Sequence, residues 1–167
     1  MCVDIAGRST FESAFDSLYP RAWHLAYRLV GDRAEAEDIA SEALARAFVH
    51  WKRIEALPHR DAWVLRVAAN LAIGSIRRRR PVVAVEEPIA PEDAVATRLA
   101  LAAALRALPK RQREAVALRF IGDLSEASVA ACLGISTGTV KSHTHRALKA
   151  LSRQLGTNPL EGPIGNP

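Results

Sequence analysis

Eight residues crowded into one short stretch carry most of the chemistry available to this chain: Thr137, Thr139, Lys141, Ser142, His143, His145, Arg146 and Lys149. Each offers an N–H, an O–H or a positive charge, and no carboxylate stands between Leu133 and Asn158. The set lacks what covalent catalysis needs, a nucleophile with a base beside it. His143 and His145 are two apart, so on a helix they point to different faces and cannot share a metal. Donors and cations on one helix face do suit phosphates and base edges together, as a major groove presents them. A second basic group is the run Arg77, Arg78, Arg79 and Arg80. Positive charge complements the end of a helix, but four successive arginines exceed that need and point to phosphate binding.

The elements that must position the first group are legible around it. Ser125 and Ser136 are N-cap residues for two successive helices. Gly134, between Leu133 and Ile135, supplies a turn that needs φ > 0. Ala130 is small where the two helices would cross. Val140, Ala147, Leu148, Leu151 and Leu155 recur at helical spacing as an inner stripe. The reading is a helix-turn-helix whose second helix carries the donor face outward. Without the small residue, turn glycine and inner valine, a solvated amphipathic hairpin would be the better reading.

Composition bounds the rest. The chain has 167 residues, 49% hydrophobic and only 5% aromatic, with net charge +5. An Ala- and Leu-rich chain poor in aromatics favours helix over sheet. Residues 1–80 hold 13 basic and 10 acidic side chains, residues 81–97 none and 4, and residues 98–167 hold 10 and 4. Two basic blocks therefore flank a short acidic connector. The two cysteines, Cys2 and Cys132, form no framework and point to a reduced, cytoplasmic compartment. No secretory signal is evident. The apolar stretch Ala62–Ile76 is cut by Arg66 and Asn70 and is too short to span a bilayer.

The periodicity predicts an all-α chain of two small helical domains. One covers 9–80, with helices starting at Thr10 and at Pro20, a stop at Gly31, an Asp32 cap and a helix to about Trp51. Trp23, Tyr27 and Val30 are the expected stripe of the second helix, and Ile39, Ala43, Leu44, Ala47 and Phe48 the buried face of the next. A further helix follows Asp61, with Trp63 and Val67 on its apolar face, and ends at Pro81. Residues 81–91 are a flexible acidic linker with three prolines, at most about 40 Å long when extended. The second domain, 92–155, has helices from Glu92 to Leu108 and from Lys110 to Phe120 before the helix-turn-helix. The tail 156–167 reads as disordered.

Two segments then resemble one family in register. Leu108–Leu151, LPKRQREAVALRFIGDLSEASVAACLGISTGTVKSHTHRALKAL, is similar to region 4 of bacterial sigma factors. Phe11–Arg80 resembles region 2 of the small extracytoplasmic-function type, the matching residues being Ala34–Phe48 and Asp61–Arg80. The resemblance implies a subunit that binds core RNA polymerase, reads the −10 and −35 elements of promoter DNA and helps open the duplex. It implies docking of Asp32–Trp51 on the β′ coiled coil, with Asp38, Ser41, Glu42 and Arg46 as contacts, and of region 4 on the β flap. The recognition-helix residues above would read the −35 element. For the unpaired −10 strand the candidates are Trp51, Lys52, Arg53, His59, Arg60, Arg66, Asn70 and Arg77–Arg80, since capture needs stacking surfaces and cations. Departures from the family are Ser41 where Gln is frequent, Phe48 for Trp, Gly74 for Asp, and His143-Thr144 for Arg-Leu.

The resemblance implies no enzymatic activity, no cofactor or metal, no small-molecule substrate and no direct membrane insertion. An anti-sigma factor stands as a further partner class. Two other readings stay open at this point: a stand-alone helix-turn-helix regulator with an N-terminal dimerisation or sensing domain, and a sigma mimic that binds only proteins. A two-half-site footprint would mark the first, and binding insensitive to salt the second.

Overall fold

The computed structural model describes residues 5–76 and 92–156. These form α1 (Ile5–Val30), α2 (Arg33–Val49), α3 (Trp51–Ile54), α4 (Arg60–Ile76), α5 (Glu92–Ala107), α6 (Lys110–Val116), a π turn (Ala117–Ile121), α7 (Glu126–Leu133) and α8 (Thr137–Leu155), with no strand among the described residues. The fold is all-α, as the composition predicts. Arg77–Arg80, the linker 81–91 and the tail from 157 lie outside the described residues.

Where one helix break was expected, at Pro20, there is none: α1 runs through it. Proline removes one backbone donor from a helix and crowds the preceding turn. Pro20 sits on the exposed side of α1, where water can satisfy the carbonyl left over. The buried stripe is also turned from the expected one. Leu18, Ala22, Leu25, Ala26 and Leu29 are buried, whereas Tyr27 is exposed and Trp23 only partly covered, the two rings stacked at 5.1 Å. Alanine and leucine won the inner face because α1 is clasped by both α2 and α4, and small residues let helices approach closely.

Gly31 ends α1 with φ +71°, which glycine adopts without steric cost. Asp32 caps α2, its carboxylate accepting from Glu35 N–H at 2.9 Å. Ile39, Ala43, Leu44 and Ala47 are buried as expected, but Phe48 is exposed. The helix stops two residues short of the expected Trp51, and α3 begins there. Together α1, α2 and α4 bury Leu18, Leu25, Leu44, Val64 and Leu65, each contributing about 1.5–3 kcal/mol of hydrophobic stabilisation.

In the second half α8 is the central element, in contact with α5, α6 and α7. The expected helix from Lys110 to Phe120 is α only to Val116. Its continuation is a π turn, with Gly122 N–H reaching back to Ala117 O at 2.9 Å. Gly122 lies against Leu118 O and Leu25, where a Cβ would stand 3.0 and 3.2 Å away. The hydroxyl of Thr144, which replaces an inner-stripe hydrocarbon, is satisfied by Val140 O at 2.9 Å. Leu148, assigned to that stripe, is exposed.

The two halves pack on each other. α4 contacts α1 and α2 on one side and α5, α6, α7 and the π turn on the other. Arg28 Nη1 donates to Ile121 O at 3.2 Å, and Arg98 Nη1 to Gly31 O at 3.3 Å.

Candidate nucleic-acid interface

The helix-turn-helix is built from local hydrogen bonds. Ser125 Oγ accepts from Ser128 N–H and Ser136 Oγ from Thr139 N–H, each at 3.1 Å. Gly134 between them has φ +66°. Caps of this kind stabilise a helix start by about 1 kcal/mol each, and here they fix where α7 and α8 begin. Val129, Ala130, Leu133, Val140 and Ala147 are buried between α7 and α8.

That packing leaves the other side of α8 to solvent. Thr137, Lys141, Ser142, His145, Arg146 and Lys149 are exposed, while Thr139 and His143 are partly covered. The exposed groups therefore form one donor-rich surface. Sequence spacing did not reveal two details. Glu126, at the start of α7, lies 3.7 Å from Lys141 Nζ, so a carboxylate from the neighbouring helix tempers the positive face. His143 Nδ1 is buried without a hydrogen-bond partner, leaving only part of that ring for a ligand.

The candidates in the first half separate into groups. Lys52 and Arg53 on α3 are exposed. His59 and Arg60 line a cleft of about 370 Å³ with Arg21, Asp61, Leu124 and Ser128, the last two from the second half of the chain. Asp61 pairs with Arg21 and with Arg60. Trp51 is only 3% exposed. Its Nε1 donates to Thr10 Oγ1 at 2.8 Å, its ring meets Phe11 edge-on at 5.0 Å, and Arg60 lies over it at 5.9 Å. It offers no free face to a base in this arrangement.

Arg66 and Asn70, one turn apart on α4, converge on Glu114 of α6. Arg66 Nε donates to Glu114 Oε1 at 3.0 Å and Nη2 to Oε2 at 3.3 Å, the two-pronged geometry that favours guanidinium over ammonium. Asn70 Nδ2 lies 3.4 Å from Oε1, and Arg111 Nη1 3.4 Å from Oε2. The Glu114 side chain is 2% exposed, so it is a buried charge held by four donors from three side chains. No reading of periodicity pairs residues 48 apart. Glu114 closes the polar run Lys110–Arg113 just before the apolar Ala115–Leu118, and nothing in that local pattern marks it as buried. Cys132 sits against the same cluster: burial pushes its thiol above the ordinary value, with Arg66 opposing.

On α2, Asp38, Ser41, Glu42 and Arg46 are all exposed. Arg46 Nε pairs with Glu42 Oε1 at 2.7 Å. The same outer surface continues into Phe48 and Val49, the latter 76% exposed. Phe48 also meets Phe11 edge-on at 5.0 Å, so Val49 is the more open of the two apolar groups beside the charged strip. Among the described residues there is no cluster of potential metal ligands, and no helix is long and apolar enough to cross a membrane.

Comparison with known proteins finds two family matches in the order of the two halves: Sigma-70 region 2 over residues 14–82 and Sigma-70, region 4 over residues 98–151. The chain is 31% identical to the ECF RNA polymerase sigma factor SigW of Bacillus subtilis, over 89% of this chain and 90% of that one. It is 35% identical to the ECF RNA polymerase sigma factor SigL of Mycobacterium tuberculosis, over 88% and 92%. Among solved structures, its fold is similar to CnrH in complex with the cytosolic domain of CnrY (TM-score 0.60, 24% identity, 91% of this chain and 96% of that one). It is also similar to the sigma factor RpoE in complex with the anti-sigma factor NepR from Bartonella quintana (TM-score 0.58, 23% identity, 89% and 98%).

Proposed function

The chain belongs to the sigma-70 family as an extracytoplasmic-function RNA polymerase sigma factor, and from that we propose which of its surfaces performs each part of the work. A sigma factor binds core RNA polymerase, recognises the −10 and −35 promoter elements and initiates transcription; it is an initiation factor rather than a catalyst. We assign region 2 to residues 9–80 and region 4 to residues 92–155, joined by 81–91.

The −35 element is read by α8. The exposed Thr137, Lys141, Ser142, His145, Arg146 and Lys149 take phosphates and base edges, with Thr139 and His143 contributing from the edge of the surface. The observation that carries this is the burial of Val140, Ala147 and Leu151 along one side of α8, which leaves the donor side outward, with the Ser136 cap setting where the helix starts. The unpaired −10 strand is held by Lys52, Arg53, His59, Arg60, Arg66 and Asn70, with Arg77–Arg80 adding phosphate contacts. Trp51 supports that group from the core.

Core polymerase docks on α2 through Asp38, Ser41, Glu42 and Arg46, and we add Phe48 and Val49 as the apolar part of the surface. The β′ coiled coil is the partner there and the β flap the partner of region 4. Work on core polymerase and chromosomal promoters places the protein in the cytoplasm. An anti-sigma factor is a further partner, as it is for the RpoE bound to NepR.

The test is transcription from a promoter library by core RNA polymerase with and without the chain. Start sites that appear only with it, sharing −35 and −10 motifs, support the assignment. Shared −10 motifs without a −35 motif would remove the role given to α8.

A further inference from the structure

A residue that holds a nucleic-acid phosphate in one state must hold something else, or water, in the other. Arg66 and Asn70 hold Glu114, from the other half of the same chain, and they hold it as they would a phosphate: two oxygens in the guanidinium fork and an amide N–H on one of them. The carboxylate is 2% exposed. An anion so placed is stable only while its donors stay, since an unpartnered buried charge is strongly disfavoured.

The packed arrangement also cannot be the one that reads a promoter. Elements named for positions about 25 base pairs apart lie about 85 Å apart on B-DNA at about 3.4 Å per pair. A chain of this size packed into one body is about 40 Å across. Reaching both elements requires the halves to separate and the linker, about 40 Å when extended, to open between them. Separation breaks the contacts of Arg66 and Asn70 with Glu114, of Arg98 with Gly31, and of Arg28 with Ile121.

We propose that Glu114 is an internal stand-in for a DNA phosphate: it occupies Arg66 and Asn70 in the closed chain, and single-stranded DNA and α6 compete for that face of α4. This rests on Arg66 and Asn70 being −10 contacts. Binding of a strand there and opening of the chain are then one coupled event. The closed chain binds single strands weakly because its own carboxylate is already in place. The competitor is covalently attached, so its effective concentration is set by the linker and is high.

Cys132 gives a direct readout, because it lies against Arg66 and Glu114 at the junction and is buried. With Cys2 replaced by serine, alkylation of the full chain reports only the junction. The test compares the C2S chain with C2S carrying Glu114→Gln, or Arg66→Ala, by alkylation rate, small-angle scattering and affinity for a twenty-nucleotide oligo-dT. Gln keeps the shape of Glu and removes the charge. For Glu114→Gln the expected result is a larger radius of gyration, alkylation at least tenfold faster and at least threefold tighter oligo-dT binding. In the unsubstituted C2S chain, oligo-dT alone should speed alkylation, a result that needs no variant to fold.

A Glu114→Gln chain that stays compact and binds oligo-dT no better, with no effect of oligo-dT on alkylation, overturns the proposal. A chain that opens with unchanged oligo-dT affinity overturns the competition. Arg66→Ala then locates the fault: affinity unchanged means that Arg66 was never a strand contact, and affinity lowered means that Glu114 was not its competitor.

Discussion

Arg98 lies across the backbone of Gly31. Its Nη1 donates to Gly31 O at 3.3 Å, and its guanidinium fills the space in which a Cβ on Gly31 would sit, 2.0 Å from that nitrogen. One glycine therefore serves two ends. It lets α1 stop in the left-handed conformation, and it receives an arginine from the other half of the chain.

Gly31→Ala is expected to destabilise the protein by about 1–3 kcal/mol, the cost of a non-glycine residue at φ +71°. The arginine can swing aside, so the backbone strain dominates. Thermal melting checks it, with a fall of several degrees expected for a chain of this length; an unchanged melt would mean that the turn relaxes elsewhere.

Trp51 separates a core role from a stacking role. Trp51→Ala removes a buried ring and should cost about 3–5 kcal/mol. Trp51→Leu keeps an apolar side chain, loses the ring and the bond to Thr10, and should leave oligo-dT affinity unchanged. A large loss of affinity in a well-folded Trp51→Leu chain would restore the stacking role.

Arg146→Ala should weaken binding to duplex −35 DNA and reduce the slope of log affinity against log salt by about one unit, as expected for one lost phosphate contact. Its side chain is exposed, so the melting temperature should not move. Binding titrations at several salt concentrations decide it.

On α2, Glu42→Arg and Val49→Asp should each impair capture of core RNA polymerase. The Glu42–Arg46 pair is about half exposed, and exposed pairs of this kind contribute under about 1 kcal/mol, so the fold should survive both changes. Co-purification with core enzyme at wild-type level would exclude this surface.

The Cys132 thiol gives a pH prediction. Its folded value is raised above 9.0, chiefly by burial. The unfolded chain therefore releases this proton first as pH rises. The associated stability is present below the unfolded value and is lost as pH climbs through the folded one. Melting temperature should fall more steeply above about pH 9 in the wild type than in Cys132→Ala. Equal slopes would show that the thiol does not contribute.

What the sequence disclosed and what it withheld divide by range. Ser125, Ser136, Gly134 and Asp32 act on groups within four residues of themselves, so their roles could be read from the chain. Pro20 in mid-helix could not, because only the clasp of α2 and α4 around α1 decides that the helix continues. Phe48 looked buried because its spacing matches Leu44 and Ala47, and only the end of α2 against its neighbours shows which side of that stripe is left open. The pairing of Arg66 and Asn70 with Glu114 needs two halves to meet across a linker, which no local pattern encodes. The candidate residues were found by chemical type, while their present occupant was not.

The π turn at Ala117–Ile121 is a setting of phase. One residue more than an α-helical turn carries whatever follows about 100° further round the axis. Arg119 reaches Leu124 O at 2.9 Å, and Phe120 turns outward. The chain then enters α7 in the orientation on which the aim of α8 depends. With a plain helical turn there, the same caps and the same donor face would form but would point elsewhere. The bearing of the donor face of α8 is thus written in the count of residues upstream of it.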